Sequence, residues 1–109
     1  MDLGIYFKPI KKIESSKNTI GSIIDAFNFQ FPDWQSSDIV FLTVHESRGS
    51  SILNNDEIDH LSVRENLYNF KWEGNLKIAD LGILEAGAQI KDTYSALSEI
   101  TYEIQKKGK

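Results

Sequence analysis

Apolar and polar positions along this chain fall into two periodicities. Asp38-Ile39-Val40-Phe41-Leu42-Thr43-Val44 is a nearly unbroken run of β-formers. A run with so little polar alternation predicts a strand covered on both faces, as in a parallel sheet. Leu76-Lys77-Ile78-Ala79-Asp80-Leu81-Gly82 predicts a second strand that ends in a turn at its glycine. Helical spacing follows each. From about Asp59 to Phe70, Leu61, Val63, Leu67 and Phe70 form the expected buried stripe, and Ser62 with Glu65 has capping-box spacing. A last helix is predicted over Asp92–Lys107, with Asp92 as its N-cap. Tyr94, Leu97, Ile100 and Ile104 are its inward stripe, while Glu99, Glu103 and Lys107 face water, the last two in favourable i,i+4 order. Gly108 supplies the cap that ends it.

The start of the chain is less regular. Leu3 to Phe7 is apolar and partly aromatic up to Pro9, which predicts a short edge strand or extended arm. Residues 11 to 18 are polar and loop-like. Ile20, Ile23, Ile24 and Phe27 then have the spacing of an amphipathic helix over Thr19–Phe27. Phe29, Phe31 and Trp34 around Pro32 read as an aromatic clamp that packs the arm on the body; a base-stacking site would need a basic surround. The polar stretch His45–Asp59 is long for a loop in a compact domain, and such loops are often functional. A second loop is expected over Ile83–Lys91.

The expected order is arm–helix–β–α–β–α. It forms one domain over residues 1–109, with an arm and short helix in 1–37 and two β–α units in 38–109. The expected fold class is α/β, with its two strands parallel. Two parallel strands leave faces and edges of a sheet open, so the pattern predicts a fragment of a larger domain or a chain with a partner.

Composition narrows the class. A net charge of -4 and a pI near 5.1 argue against nucleic acid as a partner. The basic clusters Lys8/Lys11/Lys12 and Lys106/Lys107/Lys109 are small and read as solvated. Without cysteine there is no disulfide, thiolate catalysis or zinc–thiolate site. Ile39-Val40-Phe41-Leu42 is too short an apolar run to span a bilayer, and no basic head with an apolar stretch marks a secretory signal, so no membrane partner and a cytoplasmic address are expected.

Candidate chemistry clusters at the strand ends. His45 follows the first strand at the edge where α/β sheets bind ligands, with Glu46 as an acid–base partner and Arg48 as an anion clamp beside it. The plainer reading is a polar loop whose histidine caps backbone groups or meets solvent. Asp80 ends the second strand on the same edge; it either orients a neighbouring loop by accepting backbone N–H bonds or acts directly. Arg64 reads as the partner of an acid. Asp56, Asp59 and His60 have no recognised metal-site spacing and read as a charged helix start. Gly82 and Gly87 are too isolated for a phosphate cradle, and no P-loop, dinucleotide fingerprint or Ser/His/Asp motif is present.

Several of these segments together resemble a known family. The run from Asp38 through His45-Glu46-Ser47-Arg48-Gly49 resembles the opening strand and loop of the ureohydrolases, the superfamily of arginase, agmatinase and formimidoylglutamase. Val63-Arg64-Glu65-Asn66-Leu67-Tyr68 is similar to that family's first helix, and Ile78-Ala79-Asp80-Leu81-Gly82 to its hydrophobic-Asp-x-Gly strand end. Asp92-Thr93-Tyr94-Ser95-Ala96-Leu97 resembles the second helix. The opening Met1–Pro9 and Phe31-Pro32-Asp33-Trp34 look most like the formimidoylglutamase branch. The resemblance implies a three-layer αβα fold and hydrolysis of a guanidino or formimidoyl C–N bond by hydroxide held on two Mn²⁺ ions. It supplies no metal ligand: Gly-Gly-x-His, Asp-x-His-x-Asp and Asp-x-Asp are all missing, and the first would be expected just past Lys109. The expectation is therefore an N-terminal scaffold segment, inactive alone and without its own cofactor. Its partner would be the missing C-terminal portion, and the parent's substrate a small guanidino or formimidoyl compound. A different class remains open: a stand-alone α/β module that binds a small ligand at the His45/Asp80 edge or homodimerises through an exposed sheet edge.

Overall fold

A computed structural model describes residues 3–45, 60–85 and 87–108. Its organising element is β4 (Ile78–Leu84), in which all seven residues are buried. β3 (Ile39–Val44) runs parallel along one edge of β4, from Ile39 opposite Ile78 to Val44 opposite Leu84. The other edge is shared by two short strands. β1 (Phe7–Lys8) pairs antiparallel, Phe7 with Leu84, and β2 (Asp25–Ala26) pairs parallel, Ala26 with Asp80. The fold is mixed α/β, and the sheet is mixed rather than wholly parallel because the arm folds back to satisfy the second edge of β4.

The coverage expected of the first strand belongs to the second. β3 has β4 as its partner among the described residues, and its residues are half-buried, with Ile39 45% exposed. β4 also continues past the predicted turn. Phe41 pairs with Asp80 and Thr43 with Ile83, so β4 carries one extra residue there, a β-bulge. Gly82 sits in it at φ 93, and a Cβ on Gly82 would lie 2.5 Å from the Lys8 carbonyl oxygen. Only glycine meets both conditions.

Alternation along β4 sends Ala79 and Leu81 to one face and Asp80 to the other. On the first face, α3 (Ile90–Lys106) buries Thr93 and Ile100, with Ala96, Leu97 and Ile104 packed around a core of Leu3, Phe7, Trp34, Ala79, Leu81 and Leu84. Tyr94, predicted to face inward, is 56% exposed; the periodic face runs through Thr93 instead. The helix starts earlier than expected, with Gln89 as N-cap. Asp92 is its third residue, and its carboxylate accepts the Gln89 N–H at 2.9 Å. Glu103 pairs with Lys106, at 3.4 Å, and not with Lys107, which lies past the helix end. Gly108, at φ 83, closes the helix by donating to the Gln105 carbonyl.

On the opposite face lies α2 (His60–Tyr68). Its expected stripe holds only at Leu67, which is half-buried; Leu61, Val63 and Phe70 are 43%, 48% and 65% exposed, while Arg64 and Tyr68 are buried. These two are one turn apart and meet Asp80, whose buried carboxylate requires donors. Ser62 is consequently the third residue of the helix and not its cap. The arm helix is also shorter than predicted, since α1 covers only Ile20–Ile23. Ile24 turns to extended backbone, which lets Asp25–Ala26 pair with β4. Phe31 sits between Phe7, tilted to it at 5.9 Å, and Phe27, edge-to-face at 5.1 Å, and Trp34 is buried, but Phe29 is 98% exposed and takes no part in the clamp. No helix among the described residues is long and apolar enough to cross a membrane.

Candidate functional site

The carboxyl ends of β3 and β4 lie side by side, and the His45 N–H extends the ladder to the Leu84 carbonyl at 3.0 Å. His45 thus stands at the edge where parallel strands present ligands. Glu46 and Arg48, with the rest of the long polar loop, fall outside the described residues. Asp80, expected at this edge, lies in mid-strand because β4 runs on to Leu84.

What the fold assembles around Asp80 is a closed network. Arg64 grips the carboxylate with both forks, Nε to Oδ2 at 2.8 Å and Nη2 to Oδ1 at 2.8 Å. The Tyr68 hydroxyl donates to Oδ2 at 2.6 Å, and the Gly82 N–H donates to Oδ1 at 3.0 Å. Four donors fill the roughly four acceptor sites of a carboxylate. Arg64 Nη2 also donates to the Gly82 carbonyl at 2.8 Å, and Nη1 to the Thr43 hydroxyl at 3.0 Å. The Phe41 ring lies 5.3 Å below the guanidinium carbon. The bulge explains these backbone partners: it turns the Gly82 peptide groups out of the ladder toward the ion pair. Burial, then the bond to Asp80, pushes the Tyr68 hydroxyl far above the ordinary tyrosine range, so it is a fixed donor. Charge-assisted, bidentate and sealed, the network suits orientation, since no lone pair of Asp80 is left for a metal or substrate.

Beside this network lies a cleft of about 280 Å³ lined by Pro9, Ile10, Lys11, Leu61, Arg64 and Ile83. Its outer wall is fixed by the Ile10 N–H, which donates to the Phe27 carbonyl at 2.9 Å. Among the described residues, no three His, Cys, Asp or Glu side chains converge to hold a metal ion. The manganese pair implied by the resemblance has no fitting ligand set among them.

Thr43, Tyr68 and the Gly82 peptide were not foreseen as members of this site. The available signal was the spacing of Arg64 and Tyr68, four apart on a helix that had to face a strand carrying an acid. In comparisons with known proteins, no family model matches the chain, and no curated protein or solved structure matches it significantly.

Proposed function

We propose that this chain is the N-terminal scaffold of a ureohydrolase-type enzyme, one that hydrolyses a guanidino or formimidoyl C–N bond. In this reading it builds the sheet edge beneath the chemistry and supplies no reacting group. The observation that supports it most is the convergence of three separate segments of the resemblance. Thr43 comes from the opening strand, Arg64 from the first helix, and Asp80 and Gly82 from the Asp-x-Gly strand end, and buried hydrogen bonds tie them together. Residues scattered in sequence but joined in one closed network are constrained as a set, as a shared scaffold requires.

Topology adds to the case for a three-layer αβα parent. α2 and α3 cover opposite faces, and crossovers between parallel strands are right-handed. A strand following α3 would then fall beside the outer edge of β3 and extend the parallel sheet there. The test combines chemistry with the coding frame. Calorimetry with Mn²⁺ and assays for urea or formamide release should show neither stoichiometric binding nor turnover by this chain alone; tight Mn²⁺ binding with turnover would overturn the scaffold role. An in-frame apolar strand followed by Gly-Gly-x-His beyond codon 109 would support the parentage, and a frame without it would remove that support.

The second reading, a self-sufficient module that binds a small ligand or homodimerises, is favoured by the apolar cleft and by the half-buried outer strand β3. A stable, cooperatively unfolding monomer or dimer in light scattering and denaturation would support it.

A further inference from the structure

β3 pairs with β4 along one edge, and no strand pairs with its other edge among the described residues. The N–H groups of Ile39 and His45 bond to the Lys77 and Leu84 carbonyls, so these odd-numbered positions turn their backbone groups toward β4. Alternation along the strand then sends the N–H and C=O of Val40, Leu42 and Val44 outward. Nothing in Ile39-Val40-Phe41-Leu42-Thr43-Val44 blunts that edge: it holds no proline and no charge, and the bulge is in β4. Ile39 is exposed and the other five residues are half-buried, as at a sheet margin open to water.

The helix flanks beside this edge carry exposed apolar side chains on both faces of the sheet. Tyr6, next to β1, donates to Glu99 at 3.3 Å, so the acidic side of α3 faces the arm and the side bearing Tyr94 and Leu97 faces β3. On the other face, Leu61 lines the cleft against the arm, which leaves Val63, Leu67 and Phe70 on the β3 side. Tyr94, Val63 and Phe70 are all exposed.

Self-complementarity selects the occupant, because the outward residues are symmetric about Leu42. When two copies pair antiparallel with a two-fold axis at Leu42, Leu42 exchanges both of its hydrogen bonds with the partner's Leu42, and Val40 does the same with the partner's Val44. No outward group of Val40, Leu42 or Val44 is then left over. Every hydrogen-bonded pair is aliphatic and lies on the core face of the sheet, where these three side chains are only partly buried.

We propose that the chain forms a two-fold symmetric homodimer by antiparallel pairing of β3 with the β3 of a second copy, which joins two four-stranded sheets into one. This rests on the reading of the chain as a self-sufficient module, since in the scaffold reading a following strand takes the same edge.

Sedimentation and NMR amide exchange on the full chain test it. From about 50 µM to about 1 mM the mass should rise toward that of two chains. Over the same range, exchange at Val40, Leu42 and Val44 should slow at least ten-fold, and clearly more than at Ile39 and His45, which are already bonded within one copy. Val40→Pro removes an outward donor and spares the ladder to β4, and Ile39→Lys places a charge at the edge. Each should weaken association at least ten-fold with the circular dichroism spectrum unchanged. A cooperatively unfolding monomer at the highest concentration would overturn the dimer and leave the module reading intact, whereas a chain without a cooperative transition would remove both. Slowing confined to other amides, or association unchanged in both variants, would also overturn the dimer.

Discussion

Replacing Asp80 by Asn tests whether a saturated ion pair clamps α2 to the sheet. The substitution keeps the shape of the side chain but removes its charge, leaving the Arg64 guanidinium buried at 1% exposure beside a neutral amide. Of the four donors that meet Asp80, two belong to Arg64, so one amide NH₂ must oppose an Arg64 N–H. Breaking a buried pair from one side costs about 3–5 kcal/mol. A domain of this size holds about 5–15 kcal/mol in total, so the loss is a large fraction of its stability. At about 4 °C per kcal/mol, Tm should fall by about 12–20 °C. The assay is urea unfolding followed by far-UV circular dichroism at neutral pH, in a cycle with Arg64→Met. Once the cation is removed, Asn at position 80 no longer faces a buried charge. The double variant should therefore recover at least about 1 kcal/mol relative to the sum of the single losses. A loss below about 1 kcal/mol for Asp80→Asn, or strict additivity in the cycle, would show that the ion pair does not hold α2 to the sheet.

Tyr68→Phe removes the hydroxyl that donates to Asp80 at 2.6 Å and should cost about 1.5–3 kcal/mol, as for a bond to a charged group. Because the folded state raises the Tyr68 pKa, its contribution is intact below the ordinary value of 10.0 and is lost as pH rises above it. Urea midpoints across the alkaline range should accordingly fall more steeply for the parent than for Tyr68→Phe. Gly82→Ala should cost more than Gly108→Ala, which has a similar φ but nothing within 4 Å of a new Cβ. The second isolates the left-handed backbone cost of about 1–2 kcal/mol; the first adds the Lys8 carbonyl clash, and equal losses would contradict the bulge geometry. Ile100→Ala, at 0% exposure, should lose about 2–5 kcal/mol. Tyr94→Ala on the outer surface of the same helix should stay within about 0.5 kcal/mol, and a reversed order in thermal melts would show the face of α3 to be misassigned.

The order β3–α2–β4–α3 and its parallel strands were legible because long apolar runs and helical spacing are local signals. The Gly108 cap was legible for the same reason. The inward face of α2 was not. Hydrophobic periodicity selects Leu61, Val63 and Phe70, but the facing strand carries Asp80, and donors at Arg64 and Tyr68 outweigh a weakly apolar stripe. The Ile20–Phe27 segment failed differently. Its spacing fits a helix, yet the open edge of β4 captures Asp25 and Ala26 as a strand, a tertiary demand that no local pattern encodes. Gly82 was read as a turn because turns and bulges use the same left-handed freedom. In the candidate site, Arg64 as partner of an acid and Asp80 as acceptor of a backbone N–H were legible from residue type alone. The depth of Asp80 was not, since it depends on where β4 stops.

The bulge and the ion pair are one device, and it acts on the carboxyl edge from a distance. With regular alternation, Ile83 would follow Ala79 and Leu81 into the core and Leu84 would share the face of Asp80. The extra residue at Gly82 inverts this, so Leu84 enters the core while Ile83 lines the cleft with Arg64. The His45 N–H bonds to the carbonyl of that same Leu84. A one-residue change of register reverses every side chain beyond it. The Gly82 N–H and carbonyl, held by Asp80 and Arg64, are what keep the register in its bulged form. Substitutions at Arg64 or Asp80 should therefore move the signals of Ile83, Leu84 and His45 more than those of Ile78 and Ala79. The geometry of the carboxyl edge thus depends on a salt bridge buried behind it.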